Sequence, residues 1–153
     1  LFRSLLLALA PQAIIIRTAW LYSAHGKNFV KTMLRLADSQ PEIKVVCDQI
    51  GTPTFARDLA RAVIKVLQSH QWVPGIYHFT DEGAASWYDF AKAIFRIAGK
   101  DVKVTPIPTE DYPTPASRPS YSILDRTRIK ATYGIEIPHW EEALADCLRQ
   151  LGY

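Results

Sequence analysis

The sequence predicts an α/β fold in which parallel strands alternate with amphipathic helices, and three observations carry that prediction. The run Ala13–Arg17 is apolar and β-branched without polar alternation, the pattern of a strand covered on both faces. Segments with apolar residues at helical spacing follow it, separated by short β-forming runs. A stretch from Thr105 to Asp125 holds five of the ten prolines. Because proline lacks a backbone N–H and has a fixed φ, this stretch is neither a helix interior nor a central strand and reads as a stiff, extended surface loop.

The elements follow in order. Residues 1–10 read as the last turns of a helix stopped by Pro11, and Ala13–Arg17 as the first strand. Thr18, Trp20, Tyr22 and Ser23 come just after it, where open α/β sheets place their ligands. Trp20 fits either a flat apolar wall for sugar C–H groups or a core tryptophan, and position alone leaves both open. Gly26 to Asn28 form a turn, with Asn28 as N-cap of a helix through Asp38 that buries Phe29, Val30, Met33, Leu34 and Ala37. Its N-terminus suits an anion.

Ile43–Cys47 reads as a short strand leading into Asp48–Thr54, where Gly51 and Pro53 force a tight path and Thr54 is placed to cap the next helix. Gln49 and Thr52 are either hydrogen-bonding groups for a ligand or parts of a plain turn. The helix over 55–69 carries a stripe of Leu59, Ala60, Val63, Ile64 and Leu67. Gly75–Thr80 is another strand. Ser86 and Asp89 make a capping box for a helix through Ala98, stopped by Gly99. Val102–Thr105 is a strand into the proline-rich loop, where Tyr112, Tyr121, Ile123 and Leu124 are expected as apolar anchors that keep the loop ordered. Arg118, between Ser117 and Pro119, is an anion clamp or a solvated charge. Asp125 caps a short helix closed by Gly134, and a last helix from His139 to Leu151 buries Trp140, Ala143, Leu144, Cys147, Leu148 and Leu151.

Composition narrows the function classes. The 153 residues make one ordinary domain, 48% hydrophobic and 22% charged. The net charge of +3 is dispersed, so no basic stripe points to nucleic acid, while an anionic small molecule is accommodated. Cys47 and Cys147 stand apart from any C-x-x-C pair and read as reduced, buried residues of a cytoplasmic protein, with a bridge left open. His25, His70, His78 and His139 lack metal-site spacing, so no metal ligand is assigned. No stretch is long enough to span a membrane, and Leu5–Ala10 falls short of a signal-peptide core. A first residue of Leu rather than Met suggests a chain that starts part-way through a larger protein.

Four blocks in order resemble the dTDP-4-dehydrorhamnose reductases, an extended short-chain dehydrogenase/reductase family: Arg17–Ser23, Asp48–Thr54, Gly75–Thr80 with Ser86–Ala91, and Tyr112–Pro119 with Leu124–Asp125. The resemblance implies the C-terminal part of a Rossmann-like fold, parallel-sheet strands plus a small mixed substrate-binding lobe, with residues 1–153 forming the substrate-binding portion. It implies reduction of dTDP-4-dehydro-β-L-rhamnose to dTDP-L-rhamnose with NADPH or NADH. On this resemblance Trp20 faces the sugar, Asn28, Gln49, Thr52 and Arg118 approach the rest of the nucleotide sugar, and Thr18, Tyr22 and Ser23 border the nicotinamide. The family also implies a homo-oligomer, and Mg²⁺ in some members, for which no carboxylate cluster here offers a place. Two other readings stay open: a non-catalytic regulatory subunit like the beta subunit of methionine adenosyltransferase, and a reductase of another nucleotide-linked deoxysugar.

The chemistry of such a reductase is incomplete in this sequence. No G-x-G-x-x-G turn occurs, since the seven glycines are widely spaced. Tyr88 and Lys92 have the Tyr-x-x-x-Lys spacing but follow the later strand, whereas the family's pair precedes the block Arg17–Ser23. The catalytic residues are therefore expected upstream of Leu1. Without that half the strand Ala13–Arg17 loses a neighbour, and the chain is expected to self-associate.

Overall fold

Strand pairing in the computed structural model, which describes residue 6, residues 8–116 and residues 118–153, is parallel in three of four cases. Most of the helix expected over residues 1–10 lies outside the described residues, as does Ser117. Strand β1 (Ile14–Arg17) pairs with β6 (Gly75–His78), Ile14 opposite Gly75 and Arg17 opposite His78. Strand β2 (Leu21–Tyr22) pairs with β5 (Thr54–Phe55), and β3 (Glu42–Val46) with β8 (Lys103–Ile107). The antiparallel pair joins β4 (Ile50–Gly51) to β7 (Ala85–Ser86). The expected parallel strands and small mixed lobe are both present.

Beyond residue 10, the α-helices covering these strands among the described residues are α1 (Phe29–Ala37), α2 (Ala56–Gln68), α3 (Trp87–Ala98), α4 (Thr127–Tyr133) and α5 (Trp140–Gln150). The larger core brings Val30, Met33 and Leu34 of α1 against Phe90 and Ile94 of α3 and Leu144 and Leu148 of α5, around Tyr22 and Phe55. A fully buried leucine or isoleucine contributes about 1.5–3 kcal/mol, so this three-helix contact dominates the lobe's stability. The smaller core sets Ile14, Ile16 and Tyr77 of the β1–β6 pair, with Phe79 just beyond it, against Ala62 and Val66 of α2 and Ile129 and Tyr133 of α4. Ile14 and Ile16 alternate with Ile15 and Arg17, so one sheet face is covered by this cluster and β1 is only half-buried along its length. Among the described residues the cover expected on both faces of this strand is found on one.

Local signals placed the helix ends well. Asn28 accepts a hydrogen bond from Lys31 N at 3.2 Å, and Ser86 and Asp89 form the reciprocal capping box. Gly99 and Gly134 end α3 and α4 with φ of 64° and 60°. The residue before α5 is His139, as expected.

Three expectations are corrected. Thr54 does not cap α2: it is fully buried in β5, and its hydroxyl donates to the Ala19 carbonyl at 2.7 Å. The α2 stripe is rotated, with Asp58, Ala62 and Val66 buried while Ile64 and Leu67 are 52% and 64% exposed. Ala62 and Val66 pack with Tyr77 and Phe79, Leu59 of the expected stripe lies half-buried against them, and Val63, Ile64 and Leu67 are left outside. Finally, Tyr112 and Tyr121 do not anchor the proline-rich loop, being 59% and 67% exposed. Backbone bonds hold it instead, from Ile50 N to Ser120 O and from Ser122 N to Ile50 O, both 2.8 Å. Its first residues continue β8, where Pro106 faces Val45, and a 3₁₀ turn follows at Thr109–Asp111.

Candidate functional site

Trp20 lies three residues beyond β1 and is the one non-glycine residue with positive φ (49°) among the described residues. A left-handed backbone costs an L-residue with a Cβ about 1–2 kcal/mol, so its surroundings must impose it. Thr54 supplies two restraints, N to Trp20 O at 3.1 Å and Oγ1 to Ala19 O. The Trp20 ring then stacks on Trp87 with centroids 3.6 Å apart and planes 11° from parallel. Its edge crosses Gly51, where a Cβ would stand 2.6 Å from Trp20 Cε2 and 2.9 Å from Ser122 Oγ. Glycine is required there by contact.

Trp87 is the first residue of α3, so the Ser86–Asp89 capping box and the β4–β7 pairing fix its backbone beside Gly51. Phe29, the first residue of α1, tilts onto its ring at 4.8 Å. Trp87 Nε1 donates to Gln49 Oε1 at 3.2 Å, and Gln49 Nε2 donates to Thr109 Oγ1 at 3.1 Å. Thr109 then donates to Asp48 twice, from Oγ1 at 2.6 Å and from N at 3.0 Å. These two bonds hold the Asp48 carboxyl below its ordinary pKa.

The remaining sequence-predicted residues are spread around this centre. Gln49 is buried with both ends of its amide engaged, and Thr52 is buried with its hydroxyl donating to Gly83 O at 3.0 Å. Asn28 uses its side chain to cap α1 and to bond Ser23 O and His25 O at 2.8 and 3.2 Å. The polar groups of these three are thus satisfied inside the protein. Ser23 closes a turn on His25, and Thr18 is exposed. Tyr22 is 2% exposed, its ring between Phe55 and Phe90, which makes it a core residue. Arg118 is exposed on the loop that Ser120 and Ser122 tie to Ile50. Tyr88 and Lys92 lie on α3 with Lys92 Nζ 5.7 Å from the Tyr88 ring centroid, a cation–π contact.

Trp87, Thr109 and Ser122 received no role from sequence, and Gly51 only that of tightening the turn. Trp87 begins the same i, i+3, i+4, i+7 stripe as Phe90, Ala91 and Ile94, so the sequence pattern reads it as core and gives no separate signal for the stack on Trp20. Beside Tyr121, whose backbone bridges to Ile50, opens a cavity of about 690 Å³ lined by Ile123, Leu124, Arg126, Lys130 and Glu82. Glu82 is neutralised there by Arg126 at 2.9 Å and Lys130 at 2.8 Å.

Comparison with known proteins matches residues 4–153 to the family described as the RmlD substrate binding domain. The chain belongs to this family. A dTDP-4-dehydrorhamnose reductase of Aggregatibacter actinomycetemcomitans is 47% identical over 150 residues, covering 92% of this chain and 51% of that protein. Among solved structures, a dTDP-4-dehydrorhamnose reductase from Clostridium acetobutylicum superposes with a TM-score of 0.90 at 49% identity, covering 95% of this chain and 51% of the other. One from Bacillus anthracis, in complex with NADP, gives 0.83 at 42% identity over 90% of this chain and 48% of the other. The RmlD-family chain therefore spans about half the length of the relatives it matches.

Among the described residues no glycine-rich turn joins a strand to a helix. The glycines of this RmlD-family chain sit apart, Gly51 and Gly75 in strands and Gly99 and Gly134 at helix C-caps, while Tyr22 is closed into the core and the Ser23 hydroxyl serves its own turn. Among the described residues no three His, Cys, Asp or Glu side chains are grouped to hold a metal, and no helix is long and apolar enough to cross a membrane.

Proposed function

We propose that this chain is the sugar-nucleotide-binding part of a dTDP-4-dehydrorhamnose reductase, which reduces dTDP-4-dehydro-β-L-rhamnose to dTDP-L-rhamnose with NADPH or NADH. The observation that carries the reading is the half-buried Trp20 indole. It is held in a strained backbone conformation at the end of a parallel strand, beside a loop tied to Ile50 and bearing Arg118. A rigid indole face complements the C–H face of a deoxysugar. A guanidinium matches the oxygens of a diphosphate.

In this reading Trp20 orients the sugar and Arg118 meets the diphosphate, while the cavity beside Tyr121 receives the nucleotide. Its size suits a small-molecule ligand, and Arg126 and Lys130 offset its carboxylate. Gln49, Thr52 and Asn28 support the walls. Thr18 and Ser23 border the nicotinamide. Indole, amide and guanidinium groups neither donate hydride nor exchange a proton readily near neutral pH. The reductant and the proton donor thus fall to sequence that the relatives possess beyond the matched region.

Calorimetric titration with dTDP-L-rhamnose and, separately, with NADPH tests this. The sugar nucleotide is expected to bind, with Trp20→Ala and Arg118→Ala each weakening it by about tenfold or more, and NADPH to bind little. Sugar-nucleotide affinity indifferent to both substitutions, or NADPH binding alone, overturns the reading.

A further inference from the structure

We propose that Trp87 is a positioning residue for Trp20, and that the hydrogen-bond chain from Asp48 through Thr109 and Gln49 locks it, so that the start of the proline-rich segment sets the geometry of the sugar site. The inference rests on the reading that Trp20 faces the sugar.

The stack closes one side of the site. With centroids 3.6 Å apart and planes nearly parallel, nothing fits between the two indoles, so a ligand meets Trp20 on the side away from Trp87. Trp87 acts through Trp20. A Trp20 ring free of its partner could relax out of the left-handed backbone conformation that aims it, since that conformation persists only when neighbours over-determine it. Gly51 bounds the ring at its edge but offers no face to stack on.

The chain that holds Trp87 has a single polarity. The indole Nε1 only donates, so the Gln49 amide must present its oxygen to Trp87 and its nitrogen to Thr109. The Thr109 hydroxyl accepts from Gln49 and must therefore spend its own hydrogen on Asp48, an acceptor kept ionised by this contact. Flipping the Gln49 amide would oppose two donors at Trp87, and at 8% exposure no water shell is at hand to take the lost bond. Thr109 begins the 3₁₀ turn of the segment that carries Arg118, while Asp48 and Gln49 immediately precede β4. The segment's seating is thereby coupled to the rotation of the Trp87 ring.

Two readouts on the whole chain test this: the far-ultraviolet circular dichroism couplet of the stacked indoles, assigned by its loss in Trp87→Phe, and affinity for dTDP-L-rhamnose. Thr109→Val removes one hydroxyl and keeps the shape and the backbone bond to Asp48. It and Gln49→Leu are expected to diminish the couplet and weaken the ligand about threefold to tenfold, with Thr109→Ser restoring both. A couplet unchanged in Thr109→Val and Gln49→Leu overturns the proposal, as does a lost couplet with unchanged affinity. If the wild-type chain does not bind the sugar nucleotide, the functional reading fails separately. The couplet still decides the lock, because loss in Thr109→Val with recovery in Thr109→Ser supports it and indifference overturns it.

Discussion

Asp81 shows how far a single buried side chain can couple this fold to pH. It is 0% exposed, and one carboxylate oxygen accepts from Phe55 N at 2.9 Å while the other has no partner. Burial, helped by the nearby Asp58 charge, pushes its pKa from 3.8 up to about 7, against the Phe55 bond and Arg126. Between those values the folded chain holds a proton that the unfolded chain has released. Stability therefore falls as pH rises through that window and levels off above it, by an upper figure of roughly 4 kcal/mol. Asp81→Asn keeps an acceptor for Phe55 N and removes the titration. Relative to wild type its melting temperature is expected to gain steadily from pH 4 to pH 7, since the carboxylates other than the neighbouring Asp58 act alike in both proteins and cancel in the difference. Parallel melting curves across that range would show that Asp81 does not titrate there.

At the scale of elements, α3 ties stability to the site, because the residue that caps it precedes the residue that stacks on Trp20. Ser86 N and Oγ both donate to Asp89 Oδ2, at 2.9 and 2.6 Å, and Ser86 Oγ accepts from Asp89 N at 3.0 Å. Ser86→Ala removes the hydroxyl bonds, and a loss of about 1–2 kcal/mol is expected in denaturant unfolding, with the midpoint shifted at constant slope. An unchanged midpoint would mean that packing of Phe90 and Ile94 alone sets the end of α3. This cap was legible in the sequence because it is local, as were Asn28, Gly99 and Gly134. Thr54 was not, since whether its hydroxyl caps α2 or bonds Ala19 depends on the β2–β5 pairing of distant segments. The same holds for α2, where periodicity marks the most aliphatic face but packing onto Tyr77 and Phe79 buries the neighbouring face of Ala62 and Val66. Trp20 was found because it follows a strand, whereas Trp87 and Thr109 join it only through contacts made across 38 to 67 residues.

Across the whole molecule, the two cores differ in how well they are closed, and this governs association. The α1–α3–α5 core is sealed, but the β1–β6 pair has no further strand on either edge among the described residues and leaves β1 half-buried. Open strand edges present unpaired backbone groups to any matching strand. Beside them α2 turns Val63, Ile64 and Leu67 to solvent, and Trp72, bonded to Gln12 O at 2.8 Å, extends the apolar surface with 52% exposure. Contiguous apolar surface of this kind is a usual site of association. The chain is therefore expected to self-associate with increasing concentration, seen as a rising mass in size-exclusion chromatography with light scattering. Ile64→Lys with Leu67→Lys, placed on exposed positions that leave the Ala62–Val66 face intact, should shift the chain toward monomer with little change in melting temperature. A wild-type chain that stays monomeric at every concentration rules out the idea. A double variant that still associates transfers the contact from the α2 face to the strand edge, where the backbone rather than the side chains would do the pairing.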